Sequence, residues 1–131
     1  NYRCGTGHSV SFVGNVHEGP HALNSRNTTR MRPGMVVTDE PGVYETDLVG
    51  IRIENELVCV HKADNQYGTF LGFEPIMFVP IATSPIVPGV LTKDELDWLN
   101  NYHRQVFEKL APRLNDEERE WLAKKCAAIG C

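Results

Sequence analysis

The uneven distribution of glycine and proline constrains the fold more than any other feature of this 131-residue sequence. Residues 1–90 contain ten of the eleven glycines and seven of the eight prolines, with β-branched runs between them. Both residue types mark turns and disfavour helix interiors, so this part predicts strands and loops. Residues 91–131 contain one glycine and one proline and predict helices. We therefore expect an α+β chain.

Three strands are predicted in the first part. The stretch "GMVVTDEPGVYE" at 34–45 indicates a strand over 35–38 and a turn at 41–42. The stretch "VGIRIENELVCVHK" at 49–62 alternates, which predicts a strand with one apolar and one charged face. Its apolar face carries Ile51, Ile53 and Leu57, and its charged face carries Arg52, Glu54 and Glu56. A third strand is predicted over 69–81, where Pro75 indicates an edge strand or a bulge.

Two helices are predicted in the second part. Thr92 is followed three residues later by Glu95, a pair typical of a capping box, and hydrophobic residues then recur at helical spacing. We expect Pro112 to end this helix and Asn115 to cap a second one. Gly130 is the expected C-cap of that second helix.

Charge and composition argue against two classes of partner. The net charge is −4, and no basic cluster suggests binding to nucleic acid. Apolar runs such as residues 75–82 are too short to cross a membrane. The four cysteines are widely spaced, which favours reduced thiols and a cytoplasmic location over a disulfide framework. A pairing of Cys126 with Cys131 remains the alternative.

Three residues carry candidate chemistry. His8 follows the flexible "GTG", Glu40 ends a strand in "TDEPG", and Glu54 lies on the charged face of the next strand. Two antiparallel strands would bring the two carboxylates together, and such a pair repels unless a proton or a cation intervenes. With an added imidazole, this donor set suits Mn²⁺ or Co²⁺, with Zn²⁺ as a further alternative. Taken alone, however, a strand glutamate is usually a solvated charge, and no short metal-binding motif is present.

The order of the motifs adds a resemblance to a known family. The stretches "GTGHSVSFVGNVHEGP", "GMVVTDEPGVYE" and "GIRIENELV" together resemble the second half of the catalytic domain of pita-bread metallopeptidases, and aminopeptidase P in particular. The stretch "LTKDELDWLNNYHRQVFEKLAPRL" resembles the C-terminal extension of the larger cytosolic-type members. The resemblance implies a partial pita-bread fold, an antiparallel curved sheet over 1–90, with an appended helical hairpin over 91–131.

The resemblance also implies a metal-binding set. His8, Glu40 and Glu54 match three ligands of the family's dinuclear centre, which holds two divalent ions. Mn²⁺ is the expected metal, with Co²⁺ or Zn²⁺ as alternatives. Two further aspartate ligands of the family lie upstream of the histidine motif, and the aspartates of this sequence do not match them. We therefore expect this chain to be the C-terminal piece of a longer enzyme, inactive by itself and able to bind no complete metal pair.

Other family positions carry over with some departures. His17 and Glu40 match residues that bind substrate and move protons, and Tyr44 and Arg52 match a pair that positions the ligands. Cys4 stands where many relatives have a second histidine, and we expect it to line the substrate pocket. The usual glycines after the histidine ligand are serines here, at positions 9 and 11.

These matches imply a metalloaminopeptidase that removes the residue before proline from the N-terminus of peptides and forms a homodimer. Prolidase, which cleaves dipeptides only, is the nearest alternative activity. A pita-bread module that binds a peptide or protein without cleaving it is a second alternative, and a helical dimerisation module over 91–131 is a third. A thiol mechanism through Cys4 is disfavoured because no helix N-terminus is predicted to activate it.

Overall fold

The computed structural model describes residues 4–87 and 89–130 and divides the chain into two compact units, with the boundary between Met77 and Phe78. The first unit contains the strands and the second contains the helices. The predicted α+β class, with antiparallel strands followed by two helices, is confirmed. Neither helix in the described part of the chain has the length and apolar character needed to cross a membrane.

Five strands form the first unit. They are β1 (Val36–Asp39), β2 (Gly42–Glu45), β3 (Val49–Arg52), β4 (Asn55–Asn65) and β5 (Gly68–Pro75). An antiparallel three-stranded sheet has the order β1-β4-β5, and β2 and β3 form a two-stranded antiparallel ribbon. Among the described residues of the first unit, the fully buried hydrophobic ones are Val37 of β1 and Cys59 of β4.

One pairing register runs from the three-stranded sheet into the ribbon. The successive contacts are Asp39 opposite Asn55, Pro41 accepting a hydrogen bond from the Ile53 N–H at 3.2 Å, and Gly42 opposite Arg52. Proline has no N–H, so this pair cannot exchange both hydrogen bonds and the ladder is interrupted. The single strand predicted over 49–62 is therefore two strands, β3 and β4.

The third strand is shorter than predicted. It is an edge strand, as Pro75 indicated, but it ends at Pro75 instead of continuing to 81. Proline cannot donate to the ladder, and beyond it the Ile76 N–H makes one further hydrogen bond, to the Glu56 carbonyl at 2.9 Å. The irregularity in this pairing lies on β4, between His61 and Ala63.

Both helices of the second unit begin where the sequence predicts. Helix α1 (Lys93–Leu110) has Thr92 and Glu95 in a capping box, and α2 (Asp116–Lys125) has the same arrangement at Asn115 and Glu118. Pro112 lies in a short 3₁₀ turn, Ala111–Arg113, directly after α1. The core of this unit contains Tyr102, Val106 and Leu122, with Phe78 and Ile81 packed against it.

The predicted end of α2 is wrong. Cys126, not Gly130, is the C-cap, and its N–H donates to the carbonyl oxygen of Leu122 at 2.9 Å. The residues that follow leave the helix and return to α1 through Asn100, so Gly130 lies beyond the helix end. Cys126 is a free cysteine, and Cys131 lies outside the described residues.

Candidate metal site

The segment that carries His8 lies beside β1. Main-chain hydrogen bonds connect the Thr38 N–H to the His8 carbonyl at 2.9 Å and the Glu40 N–H to the Thr6 carbonyl at 2.7 Å. Gly7 permits this close approach, because a Cβ atom there would lie 2.0 Å from the Thr38 carbonyl oxygen. The glycine-rich loop is therefore held against the strand that ends at the candidate glutamate.

His8 and Glu40 are in direct contact. Nε2 of His8 lies 3.0 Å from Oε1 of Glu40, and the two side chains are 20% and 16% exposed. Nδ1 of His8 lies 3.0 Å from the carbonyl oxygen of Ser9. A carbonyl only accepts hydrogen bonds, so this geometry assigns the proton of a neutral imidazole to Nδ1. In that neutral form Nε2 directs its lone pair at the carboxylate, and in the protonated form it donates a hydrogen bond to Oε1 of Glu40.

This arrangement fits part of a metal site. A lone pair and a carboxylate oxygen repel unless a proton or a cation lies between them. An imidazole that donates its second N–H to a backbone carbonyl is typical of metal-binding histidines. One nitrogen with carboxylate oxygens is also a donor set that divalent metals such as Mn²⁺ accept. His8 and Glu40 are thus able to share one ion.

Glu54 has a different partner in this structure. It lies between β3 and β4 and directly precedes Asn55, the strand partner of Asp39. Its Oε2 lies 3.2 Å from Nε of Arg52, with side-chain exposures of 35% for Glu54 and 52% for Arg52. Within residues 4–87 and 89–130, no group of three or more His, Cys, Asp or Glu side chains is placed to hold a metal ion. The structure therefore joins His8 to Glu40 and leaves Glu54 paired with arginine.

Tyr44 of β2 and Arg52 of β3 lie close together. Nη1 of Arg52 donates to the Tyr44 hydroxyl at 3.5 Å, a long hydrogen bond. Tyr44, then Glu54 and, more weakly, Glu40 raise the pKa of Arg52, so its positive charge is held beside both candidate carboxylates. The Tyr44 ring lies over Gly42, where a Cβ atom would contact it at 2.7–2.9 Å.

His17 lies beside His8. Their ring centroids are 4.2 Å apart with a tilt of 55°, and His17 is exposed. An exposed imidazole next to the His8–Glu40 pair is able to contact a molecule bound there. Cys4 is a free cysteine of intermediate exposure, and its place in a substrate pocket remains a prediction.

Sequence reasoning missed Thr38. Its hydroxyl accepts a hydrogen bond from the His8 N–H at 3.0 Å and donates one to Oε1 of Glu40 at 3.0 Å. The available signal was the strand period, because Thr38 and Glu40 are two residues apart and share a face. Nothing in the sequence indicated that the His8 backbone would meet the same face.

Comparisons with known proteins identify the family of this chain. Residues 1–61 match the model of metallopeptidase family M24, and residues 69–129 match the model described as the C-terminal region of peptidase_M24. Aminopeptidase P2 of Arabidopsis thaliana is 46% identical over 128 residues, which are 92% of this chain and 18% of that protein. A probable Xaa-Pro aminopeptidase P of Coprinopsis cinerea is 42% identical over 136 residues, covering 98% of this chain and 22% of that protein.

A solved structure gives the same picture. The crystal structure of X-prolyl aminopeptidase from Caenorhabditis elegans, described as a cytosolic enzyme with a di-nuclear active site, matches with a TM-score of 0.82. The sequences are 39% identical, and the match covers 95% of this chain and 21% of that chain. This chain thus spans about a fifth of the length of the relatives it matches. Its fold is that of a pita-bread-type fragment.

Proposed function

Because this chain belongs to metallopeptidase family M24, we propose that it forms the C-terminal part of a metal-dependent aminopeptidase that cleaves before proline at the second position of peptides. The observation that carries the proposal is the contact between Nε2 of His8 and Oε1 of Glu40, with Nδ1 of His8 lying 3.0 Å from the Ser9 carbonyl oxygen. Two side chains that are far apart in the sequence place an imidazole nitrogen 3.0 Å from a carboxylate oxygen, and both atom types are ligands that a divalent metal accepts.

We assign the metal-holding role to His8, Glu40 and Glu54. His8 and Glu40 are already in contact, and Glu54 precedes Asn55, the strand partner of Asp39, the residue before Glu40. Glu54 would exchange its ion pair with Arg52 for the metal. Two divalent ions, Mn²⁺ by our proposal, supply a water nucleophile of lowered pKa and polarise the scissile carbonyl when they are bound. The relative with the di-nuclear active site supports two ions but not the identity of the metal.

The remaining residues would handle substrate and protons. Glu40 would accept a proton from the attacking water and pass it to the leaving proline nitrogen. His17, exposed and 4.2 Å from the His8 ring, would donate a hydrogen bond to the substrate carbonyl and stabilise the charge that develops there. Tyr44 and Arg52 would orient the carboxylates, and Cys4 would line the pocket.

The proposal treats the 131 residues as an incomplete catalytic unit. Only two candidate ligands are in contact in the described part of the chain, and a pair of ions needs more. We propose that this chain is inactive alone and that the longer protein containing it acts in the cytoplasm as a homodimer. The division of roles between residues 1–90, which hold the site, and residues 91–131, which extend it, is part of the same proposal.

The test uses the longer protein that contains this chain. With Mn²⁺, it should hydrolyse a tripeptide with proline in second position, and Glu40→Gln should abolish turnover without unfolding the protein. Glu45→Gln, an exposed carboxylate on β2, is the matched control and should leave turnover unchanged.

Other results would redirect the assignment. Cleavage of Xaa-Pro dipeptides but not of tripeptides would assign a prolidase activity instead. Peptide binding without cleavage by the unsubstituted protein would indicate a non-catalytic module. Robust turnover by the 131-residue chain alone would overturn the proposal that it is incomplete.

A further inference from the structure

Thr38 connects the two sides of the candidate site. It is 2% exposed, and it lies on β1 two residues before Glu40. Its hydroxyl oxygen accepts from the His8 N–H at 3.0 Å, and its hydroxyl hydrogen is donated to Oε1 of Glu40 at 3.0 Å. The hydroxyl therefore donates a hydrogen bond to Glu40 and accepts one from His8.

These contacts close a ring. From the His8 backbone the path runs through the Thr38 hydroxyl to the Glu40 carboxylate, and from Glu40 Oε1 back to Nε2 of His8 at 3.0 Å. The Thr38 N–H also donates to the His8 carbonyl at 2.9 Å, so the threonine holds both main-chain polar groups of His8. The placement of the imidazole and the orientation of the carboxylate are thus coupled through one side chain.

The chemistry of the position favours threonine. A β-branched side chain has restricted χ1 freedom, which directs the hydroxyl along the strand face toward Glu40. Burial excludes competing water, so removal of the hydroxyl would leave the His8 N–H and one carboxylate oxygen without these partners. Valine has nearly the same shape without the hydroxyl, and serine keeps the hydroxyl without the methyl group.

We propose that Thr38 is a positioning residue for the metal site, which orients the Glu40 carboxylate toward Nε2 of His8 and fixes the His8 segment on β1. The expected effect of Thr38 on metal binding rests on the proposed function. The hydrogen-bonded bridge itself is testable without any metal.

The first experiment measures the bridge in the 131-residue chain by NMR. In Thr38→Val, the His8 amide should exchange with solvent about three- to tenfold faster, as expected for a lost hydrogen bond. The Nε2 resonance of His8 should also move toward that of a solvated imidazole, because Glu40 is no longer held beside it. Thr38→Ser should restore both readouts. Thr69→Val is the matched control, since it removes an exposed hydroxyl that donates to a carboxylate, Asp64 Oδ1 at 2.7 Å, away from the site.

The second experiment measures Mn²⁺ affinity by titration calorimetry in the longer protein that contains this chain. Loss of a residue that orients metal ligands typically weakens binding by about 10- to 100-fold, and we expect Thr38→Val in this range with rescue by Thr38→Ser. Unchanged affinity in Thr38→Val, or no rescue by serine, would overturn the positioning role.

The two experiments separate the two proposals. If the unsubstituted longer protein binds no Mn²⁺, the proposed function fails. The NMR readouts then decide the Thr38 bridge alone, which is overturned if valine leaves the His8 amide and Nε2 unchanged.

Discussion

Nε2 of His8 lies 3.0 Å from Oε1 of Glu40, although His8 belongs to a loop and Glu40 follows a strand. The contact exists because main-chain hydrogen bonds hold the loop in place, from the Thr38 N–H on β1 to the His8 carbonyl and from the Glu40 N–H to the Thr6 carbonyl. Small changes in how this loop packs on the strand should therefore alter the contact between His8 and Glu40.

Gly7→Ala should loosen this contact. The added Cβ would lie 2.0 Å from the backbone oxygen of Thr38, which cannot yield as a flexible side chain would. Overpacking of this kind costs about 1–3 kcal/mol. Hydrogen exchange of the Thr38 and Glu40 amides should accelerate, since both donate to the loop that must move.

Gly5→Ala is the control for that change, because a Cβ at Gly5 meets nothing within 4 Å. In this variant the Thr38 and Glu40 amides should exchange as slowly as in the unsubstituted chain. Equal exchange rates in the two variants would mean that Gly7 is not needed for the loop to pack on β1.

The Arg52–Glu54 ion pair should be weak. Both side chains are substantially exposed, and exposed pairs contribute only about 0–1 kcal/mol. A double-mutant cycle with Arg52→Gln and Glu54→Gln, measured by urea unfolding, should give a coupling energy in that range that falls with added salt. A weak pair is what the proposed function needs, because Glu54 must leave Arg52 to bind a metal.

The exposed pair of Lys62 and Glu74, at 2.7 Å, offers a comparison in the same unit. Its cycle should give a similar coupling energy. A coupling of several kcal/mol at Arg52 and Glu54 alone would argue that Glu54 is held away from the metal site.

Acidification should destabilise the helical unit through His103. This side chain is fully buried, and its Nε2 accepts a hydrogen bond from the Ile81 N–H at 3.1 Å. Burial lowers the pKa of His103 below its ordinary value of 6.5. The unfolded chain therefore takes up the proton first as the pH falls, and stability is lost below 6.5 by at most about 1.4 kcal/mol per pH unit until the folded-state pKa is reached.

Tryptophan fluorescence measures this effect selectively, because the two tryptophans, Trp98 and Trp121, are in α1 and α2. The urea midpoint of unfolding should decrease as the pH is lowered from 7.5 to 5.5. His103→Gln should make this decrease smaller. The control variant His61→Gln, at an exposed histidine paired with Asp64 on β4, should leave the decrease unchanged. A pH dependence that His103→Gln leaves unchanged would assign the effect to other groups.

Asn100 should anchor the segment after α2. Its side-chain amide donates to the Ile129 carbonyl and accepts from the Ile129 N–H, both at 3.0 Å. Asn100→Ala removes both hydrogen bonds and should cost about 1–3 kcal/mol, with faster exchange of the Ile129 amide. Asn101→Ala, which affects a neighbouring exposed residue paired with Arg104, should leave that amide protected.

The sequence alone was sufficient for features that depend on near neighbours. The capping pairs at Thr92 and Asn115 and the alternation that places Arg52 and Glu54 on one face all involve residues a few positions apart. Backbone periodicity determines such relationships before any tertiary contact forms. The family resemblance rested on the same kind of local motif, and the matched M24 models confirm it.

Only the tertiary structure decided which of these side chains meet. A loop has no periodicity, so nothing local placed His8 beside β1 or made the Thr38 hydroxyl bridge His8 and Glu40. Likewise, alternation put Glu54 on the face of Arg52, but only the folded structure paired its carboxylate with that arginine. Contacts between distant segments depend on hydrogen bonds and charges that become neighbours only after the chain has folded, and a linear pattern does not contain that information.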